Sequence, residues 1–80
     1  MSTNGPKSRT DPTYVICLEH GEYEVDLVVG KVYRTTKREE NDRPVDLRVI
    51  DESGEDYLYP AKWFVVVDLP AKAKRMLAAT

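Results

Sequence analysis

The sequence has very few residues that could form disulfides or metal sites: one cysteine and one histidine among 80 residues. A single cysteine cannot form an internal disulfide, so we expect a protein of the reducing cytoplasm. Cys17 lies between Ile16 and Leu18, and these apolar neighbours predict a buried, unreactive thiol. His20 stands beside Gly21 in a polar segment. Because nitrogen and sulfur ligands are so scarce, we expect no metal site and no cofactor.

The sequence also lacks long hydrophobic runs. None approaches the roughly 18 residues that a membrane-spanning helix needs, so we expect no membrane association. Residues 1–12 contain Gly5, Pro6 and Pro12 among polar side chains, and they have no apolar stretch typical of a secretion signal. Such a segment has little apolar surface to bury, and we therefore expect a disordered N-terminal tail over residues 1–12.

Positive charge is not in excess. Twelve Lys and Arg residues against 14 Asp and Glu residues give a formal net charge of −2. Most general nucleic-acid binders are basic, because they neutralise phosphate groups. The sequence also contains no glycine-rich phosphate loop and no recognisable spacing of acid, base and nucleophile. We therefore expect that the protein is not an enzyme.

The clearest positive feature is a β-hairpin pattern in the second half of the chain. Residues 45–49 alternate apolar and charged side chains, which is typical of a strand with one buried face. Residues 51–54 read Asp-Glu-Ser-Gly, which favours a type I turn followed by a left-handed glycine. Tyr57 and Tyr59 then share one face of the return strand. Pro60 ends this strand because proline has no N–H to donate.

Shorter strand patterns lie on either side of the hairpin. β-Branched and apolar residues predict strands over residues 14–18, 31–38 and 64–67, and the last of these is expected to be buried. Residues 23–27 alternate apolar and acidic side chains, which indicates an edge strand or an extended loop. A helix is predicted near the C-terminus, with Pro70 in its first turn. These elements together predict an all-β domain with a short C-terminal helix.

Two motifs resemble the Src-homology 3 (SH3) family. Leu27-Val28-Val29-Gly30-Lys31 is similar to the Leu-x-x-Gly-polar segment that opens the second strand of that fold. Pro60-Ala61-Lys62-Trp63-Phe64-Val65 is similar to its proline-led 3₁₀ turn and last strand. The resemblance implies an SH3-like small barrel of about five strands. It would span residues 13–69, followed by a C-terminal helix or tail over residues 70–80.

A narrower likeness covers residues 50–69, of which residues 50–60 read Ile-Asp-Glu-Ser-Gly-Glu-Asp-Tyr-Leu-Tyr-Pro. This segment is similar to one in small, uncharacterised bacterial SH3-like proteins, and it implies no particular activity. Peptide-binding SH3 domains carry an Ala-Leu-Tyr-Asp-Tyr segment and a tryptophan at the start of the third strand. Here the first loop holds Glu22-Tyr23-Glu24 and the third strand begins Val45-Asp46-Leu47. The resemblance therefore does not imply recognition of proline-rich peptides.

An aromatic and acidic surface on the hairpin is the main candidate site. Aromatic rings beside carboxylates suit a protein partner, because the rings supply contact area and the acids attract basic groups. The alternative is that the rings close the barrel, while the acids stay solvated or, for one aspartate, cap the turn. The candidate residues are Tyr33, Asp51, Glu52, Glu55, Asp56, Tyr57, Tyr59 and Trp63.

A basic group around Tyr33 gives the second hypothesis, nucleic-acid binding. Its members are Lys31, Arg34, Lys37 and Arg38. Acidic residues follow directly over residues 39–42 and weaken the positive field within a Debye length of ~8 Å. We therefore expect a non-catalytic binding or adaptor module with an unknown protein partner, and nucleic acid as the alternative. We expect a monomer, or a weak homodimer formed through residues 65–67 or the C-terminal helix.

Overall fold

The computed structural model describes residues 13–78. The N-terminal tail predicted over residues 1–12 lies outside the described residues. The elements in chain order are β1 (Tyr14–Cys17), β2 (Val32–Arg34), β3 (Asp46–Ile50), β4 (Asp56–Pro60), a 3₁₀ turn (Ala61–Trp63), β5 (Phe64–Val67) and α1 (Ala71–Ala78).

The five strands form two antiparallel sheets, one with strand order β2-β1-β5 and one with order β3-β4. A single β-bridge between Thr35 and Val49 connects β2 to the second sheet. Next to it the amide of Thr36 donates a 3.0 Å hydrogen bond to the carbonyl of Arg48. The prediction of a small all-β fold with a short C-terminal helix is therefore confirmed.

One hydrophobic core lies between the two sheets. Its central residues are all but inaccessible to solvent, and Leu47 and Trp63 pack against them. Cys17 is fully buried, as predicted, and burial raises the pKa of its thiol. The buried members of the core are Val15, Cys17, Leu27, Tyr33, Val49, Tyr59 and Phe64.

The β3–β4 hairpin closes with a three-residue loop, as predicted. The amide of Asp51 donates to the carbonyl of Glu55 at 3.1 Å, and the amide of Gly54 donates to the carbonyl of Asp51 at 2.9 Å. Gly54 has a φ of +85°, in the left-handed region that glycine adopts without strain. The turn prediction succeeded because this geometry depends on a few adjacent residues.

Two strand predictions were too long or incorrect. The strand predicted over residues 31–38 is limited to Val32–Arg34, with one further bridge at Thr35. Residues 23–27 form a tight turn instead of an edge strand or extended loop, because the amides of Asp26 and Leu27 both donate to the carbonyl of Tyr23. Charged side chains in both segments give weak support to a longer ladder.

The prediction of a buried strand over residues 64–67 was correct only for Phe64. Val65 and Val66 keep 49% and 70% of their accessible surface. The reason is topological: in the part of the chain that the structure describes, β5 pairs only with β1 and forms the edge of its sheet. Apolar composition therefore overestimated the burial of this strand.

Helix α1 follows Pro70, and the amide of Lys74 donates to the carbonyl of Pro70 at 3.0 Å. The hydroxyl of Tyr14 donates to the carbonyl of Lys74 at 3.4 Å, which brings the helix against β1. Neither α1 nor any other helix within residues 13–78 has the length and apolar character needed to cross a membrane.

Candidate functional site

The predicted aromatic residues divide into buried and exposed rings. Tyr33 and Tyr59 keep only 5% and 3% of their accessible surface, whereas Tyr57 keeps 49%. Trp63 is half-buried against the core. Tyr57 and Tyr59 lie two positions apart on β4 and share a face, as predicted. The rings of Tyr33 and Tyr59 nevertheless belong to the core, so of these three tyrosines only Tyr57 presents an exposed ring.

An aromatic cluster surrounds Tyr59. It includes Tyr23, which was not among the site residues predicted from the sequence. The rings of Tyr23 and Tyr59 meet edge to face, with centroids 5.2 Å apart. The ring centroid of Trp63 lies 6.1 Å from that of Tyr23 and 6.3 Å from that of Tyr59. The backbone of Gly21, with a φ of +55°, passes directly against the indole of Trp63. The segment before β2 is thereby fixed onto the end of β4.

Asp51 is a structural residue of the hairpin. It keeps 5% of its surface and accepts hydrogen bonds from the Ser53 amide at 2.9 Å, the Ser53 hydroxyl at 2.5 Å and the Tyr59 hydroxyl at 2.5 Å. Burial alone would raise the pKa of Asp51, but the bonds from Ser53 and Tyr59 outweigh it and hold the pKa below its ordinary value. The expectation that one aspartate caps the turn is confirmed at Asp51.

The other three predicted acids point to separate partners. Glu52 accepts hydrogen bonds from Lys31 Nζ at 2.5 Å and from the Tyr33 hydroxyl at 2.6 Å. These two bonds lower the pKa of Glu52, whereas burial, aided by Glu52, raises the pKa of Tyr33. The four acids therefore do not form one cluster. Within residues 13–78, no three His, Cys, Asp or Glu side chains lie close enough together to hold a metal ion.

The remaining two acids lie further along the hairpin. Asp56 pairs with Arg48 Nη1 at 3.0 Å. Glu55 accepts a hydrogen bond from the Tyr57 hydroxyl at 3.2 Å, and this bond is the main cause of the raised pKa of Tyr57. Glu55 is therefore the one predicted acid that lies directly beside an exposed ring.

The predicted basic group is partly neutralised within the fold. Lys31 forms the ion pair with Glu52 and lies 5.6 Å from the centre of the Tyr33 ring. Lys31 and Arg34 line a cavity of about 450 Å³ beside β2, but Asp51 and Glu52 line it as well. Lys37 is exposed in the loop between β2 and β3. Arg38 in the same loop donates to the carbonyl of Arg43 at 2.7 Å.

An ion-pair network around Arg48 was missed by sequence reasoning. Arg48 binds Asp42 through two hydrogen bonds of 2.9 Å and 2.7 Å, and it also contacts Asp56 at 3.0 Å and Glu39 at 3.6 Å. The bonds from Arg48, together with the Glu39 amide, lower the pKa of Asp42 to about 2. The network holds the charged loop between β2 and β3 against β3.

A second cavity, which we call the hairpin cavity, has a volume of about 360 Å³. It forms where the loop between β1 and β2 meets the hairpin, and the amide of Glu52 joins the two by donating to the carbonyl of Asp26 at 2.9 Å. Sequence reasoning missed Tyr23 and Asp26; the only available signal was the alternation of apolar and acidic residues over 23–27. The lining residues are Tyr23, Asp26, Ser53, Tyr57, Leu58 and Tyr59.

Comparison with known proteins gave no relative. No protein-family model matches the chain. Neither the curated proteins nor the solved structures provide a significant match. Any function must therefore be argued from the residues and their geometry.

Proposed function

We propose that this protein is a non-catalytic binding module that recognises a protein partner through a hairpin surface. The hairpin surface consists of the hairpin cavity and the exposed side chains at its rim, Tyr23, Glu55, Tyr57 and Leu58. This surface retains Glu55 and Tyr57 from the residues predicted in the sequence and adds partners from the loop before β2. We further propose that the protein acts in the cytoplasm.

The joint exposure of two tyrosines carries this proposal. Tyr23 and Tyr57 come from separate segments, keep 48% and 49% of their surface, and line the same cavity. Leu58 adds a further exposed apolar side chain, at 41%. Clustered exposed aromatic and apolar side chains mark interaction sites, and tyrosine is enriched at protein interfaces because it combines contact area with a hydroxyl.

We also propose that the two sheets belong to an SH3-like small barrel. The element order supports this, with a 3₁₀ turn directly before the last strand. Pairing between the sheets adds support: Thr35 forms a β-bridge with Val49, and the amide of Thr36 donates to the carbonyl of Arg48 at 3.0 Å. An experimental structure with a continuous ring of strand pairing would test this proposal.

Affinity capture from the cells that naturally contain the protein tests the binding function. Tagged wild type, Tyr57→Ser and Val66→Ser are used as baits, and the captured proteins are identified by mass spectrometry. Val66 is the matched control, since it is 70% exposed but does not line the hairpin cavity. The proposal requires a protein that wild type and Val66→Ser capture and Tyr57→Ser loses. Equal capture by all three baits would contradict it.

Nucleic-acid binding is the second proposal, and one observation favours it: Lys31 and Arg34 line the cavity beside β2 together with Tyr33. It ranks below protein binding because Glu52 already neutralises Lys31. A titration with a single-stranded oligonucleotide at several salt concentrations tests it. Phosphate recognition requires an affinity that falls steeply with salt and weakens in Arg34→Gln. No binding at low salt would exclude it.

A weak homodimer is proposed as an alternative to a monomer. The exposed Val65 and Val66 lie on β5, which pairs on only one side within the described residues. Unpaired apolar strand edges favour pairing with a second chain. Light scattering over a range of protein concentrations distinguishes the two states, and a Val66→Lys substitution would abolish dimers formed through this edge.

A further inference from the structure

The hairpin cavity has a size and wall suited to a single side chain. Its volume of about 360 Å³ is near the lower end of the roughly 300–1,000 Å³ range of ligand pockets. The half-exposed Tyr23 and Tyr57 line it, together with Leu58. Aromatic faces attract cations through the ring quadrupole, and an apolar neighbour can contact the methylene groups of a long side chain.

The cavity also carries a negative charge that is not neutralised internally. The half-buried Asp26 lines it, and its carboxylate has no hydrogen bond or ion pair to any other group within residues 13–78. The lining residues include neither lysine nor arginine. Arg48, the basic residue of β3, is paired with Asp42 and Asp56, and Lys31, just before β2, is paired with Glu52.

Two tyrosines of the cavity, Tyr57 and Tyr59, have raised pKa values. The pKa of Tyr57 is raised first by its hydrogen bond to Glu55, then by the charge of Glu55 and by burial, and last by the charges of Asp51 and Asp26. Burial is the main cause of the raised pKa of Tyr59, and the charges of Asp51 and Asp26 add to it. The charges of Asp51 and Asp26 contribute to both shifts, so the electrostatic field of the carboxylates at these two phenols is negative.

We propose that the hairpin cavity accepts the cationic side chain of an arginine or lysine on the protein partner. The charged head lies beside the Asp26 carboxylate and against the rings of Tyr23 and Tyr57. This assignment rests on the proposed protein-binding function and specifies the chemical class that the hairpin surface selects.

A peptide titration followed by ¹H–¹⁵N NMR tests the assignment. The probes are three pentapeptides with blocked ends, Gly-Gly-X-Gly-Gly, in which X is arginine, lysine or citrulline. Citrulline has nearly the shape of arginine but no charge. The expected result is saturable shifts at Tyr23, Asp26, Tyr57 and Leu58 with the arginine or lysine peptide, which weaken as salt is raised, and no such shifts with citrulline.

Two substitutions and one control distinguish the contribution of the Asp26 charge to binding from that of the Tyr57 ring. Asp26→Asn and Tyr57→Leu should each weaken binding of the cationic peptide roughly two- to fivefold, because an exposed ion pair or cation–π contact has about that strength. Asp68→Asn removes the same charge at an exposed position after β5 and should leave affinity unchanged. The amide spectrum of each variant must keep the dispersion of the wild type, so that a loss of binding is not a loss of fold.

Several outcomes would overturn the assignment. They are equal binding of the citrulline peptide, affinity that Asp26→Asn leaves unchanged, shifts confined to other surfaces, and no binding of any peptide. The capture experiment distinguishes this failure from failure of the protein-binding proposal. A natural partner whose capture depends on Tyr57 but not on Asp26 would preserve the binding function and exclude the cationic side chain.

Discussion

The hydroxyl of Tyr59 donates a 2.5 Å hydrogen bond to Oδ2 of Asp51, and both residues are buried. Asp51 also binds the amide and hydroxyl of Ser53, so a single carboxylate connects the loop of the hairpin to the end of β4. A charged group is tolerated inside the hairpin because each of its oxygens accepts at least one hydrogen bond. This contact orders the loop from which the hairpin cavity is built.

Removal of the Tyr59 hydroxyl should therefore destabilise the protein. Tyr59→Phe leaves one oxygen of a buried carboxylate without its partner, and we expect the free energy of unfolding to fall by about 1–3 kcal/mol. Urea denaturation measures it. Tyr57→Phe is the matched control, because its hydroxyl bonds to Glu55 at an exposed position, and it should change stability by less than about 0.5 kcal/mol. Equal effects of the two substitutions would contradict the role of the Asp51–Tyr59 bond.

The contact between Gly21 and Trp63 can be measured by comparing two glycines. Both Gly21 and Gly54 have positive φ, but a Cβ on Gly54 would meet nothing within 4 Å, whereas one on Gly21 would lie 2.7 Å from Trp63 Cζ2. Gly54→Ala should therefore cost only the backbone strain, about 1–2 kcal/mol. Gly21→Ala should cost at least about 1 kcal/mol more, because the indole must move.

Fluorescence provides a second measurement at the same position. Trp63 is the only tryptophan in the chain, so its emission reports this contact directly. Gly21→Ala should shift the emission of the folded protein and Gly54→Ala should not. Identical spectra and equal stabilities for the two variants would show that the contact is absent in solution.

The ion pair between Arg48 and Asp42 should make stability depend on acid. The pKa of Asp42 is lowered to about 2 from an ordinary 3.8, first by the hydrogen bonds from Arg48. A carboxyl group whose pKa is lower in the folded state stabilises the protein above the ordinary pKa, and this contribution is lost as the pH falls toward 2. We therefore expect Arg48→Met to reduce stability at pH 7, with a smaller difference from wild type near pH 2.

NMR titration of the Asp42 carboxyl group gives the direct measurement. In Arg48→Met its pKa should rise toward 3.8, while Arg43→Met, which removes a more exposed guanidinium paired with Asp46, should leave it low. If the pKa of Asp42 remained at about 2 without Arg48, the network would not be its cause.

Cys17 should react slowly with thiol reagents. It is fully buried, and burial raises the pKa of its thiol, so the thiolate is both scarce and inaccessible. Modification requires an opening of the core, and we expect a rate at least about 100-fold lower than in urea-unfolded protein. A colorimetric disulfide reagent measures both rates. A folded-state rate close to the unfolded one would place Cys17 at the surface.

The hairpin could be predicted from the sequence because its features depend on adjacent residues. The left-handed Gly54, the capping Asp51 and the terminal Pro60 act on their own neighbours, so their effects can be predicted without the rest of the chain. The length of β2 and the exposure of Val65 and Val66 depend instead on which strands lie alongside. A strand pattern does not contain that information, so the predictions overestimated the length of β2 and the burial of β5.

The candidate site could be predicted only in part for a similar reason. Alternation correctly placed Tyr57 and Tyr59 on one face of β4, but it could not show that Tyr59 enters the core while Tyr57 stays half-exposed. Tyr23 and Asp26 reach the hairpin through a backbone hydrogen bond between segments distant in sequence, from Glu52 to Asp26. No periodicity marks such a contact. The hairpin cavity therefore could be identified only from the folded structure, where residues 23–26 lie against the β3–β4 hairpin.

The hairpin cavity is assembled from two separate segments, and this links partner binding to the resistance of the protein to degradation in a cell. An unfolded chain or an isolated hairpin lacks the assembled cavity, so a partner that needs it binds only folded molecules. A partner present at 100 times its Kd would add about 2.7 kcal/mol to the folding equilibrium. That is a large fraction of the roughly 5–15 kcal/mol that stabilises a typical domain. The abundance of the partner would thus regulate how long this small chain escapes proteolysis.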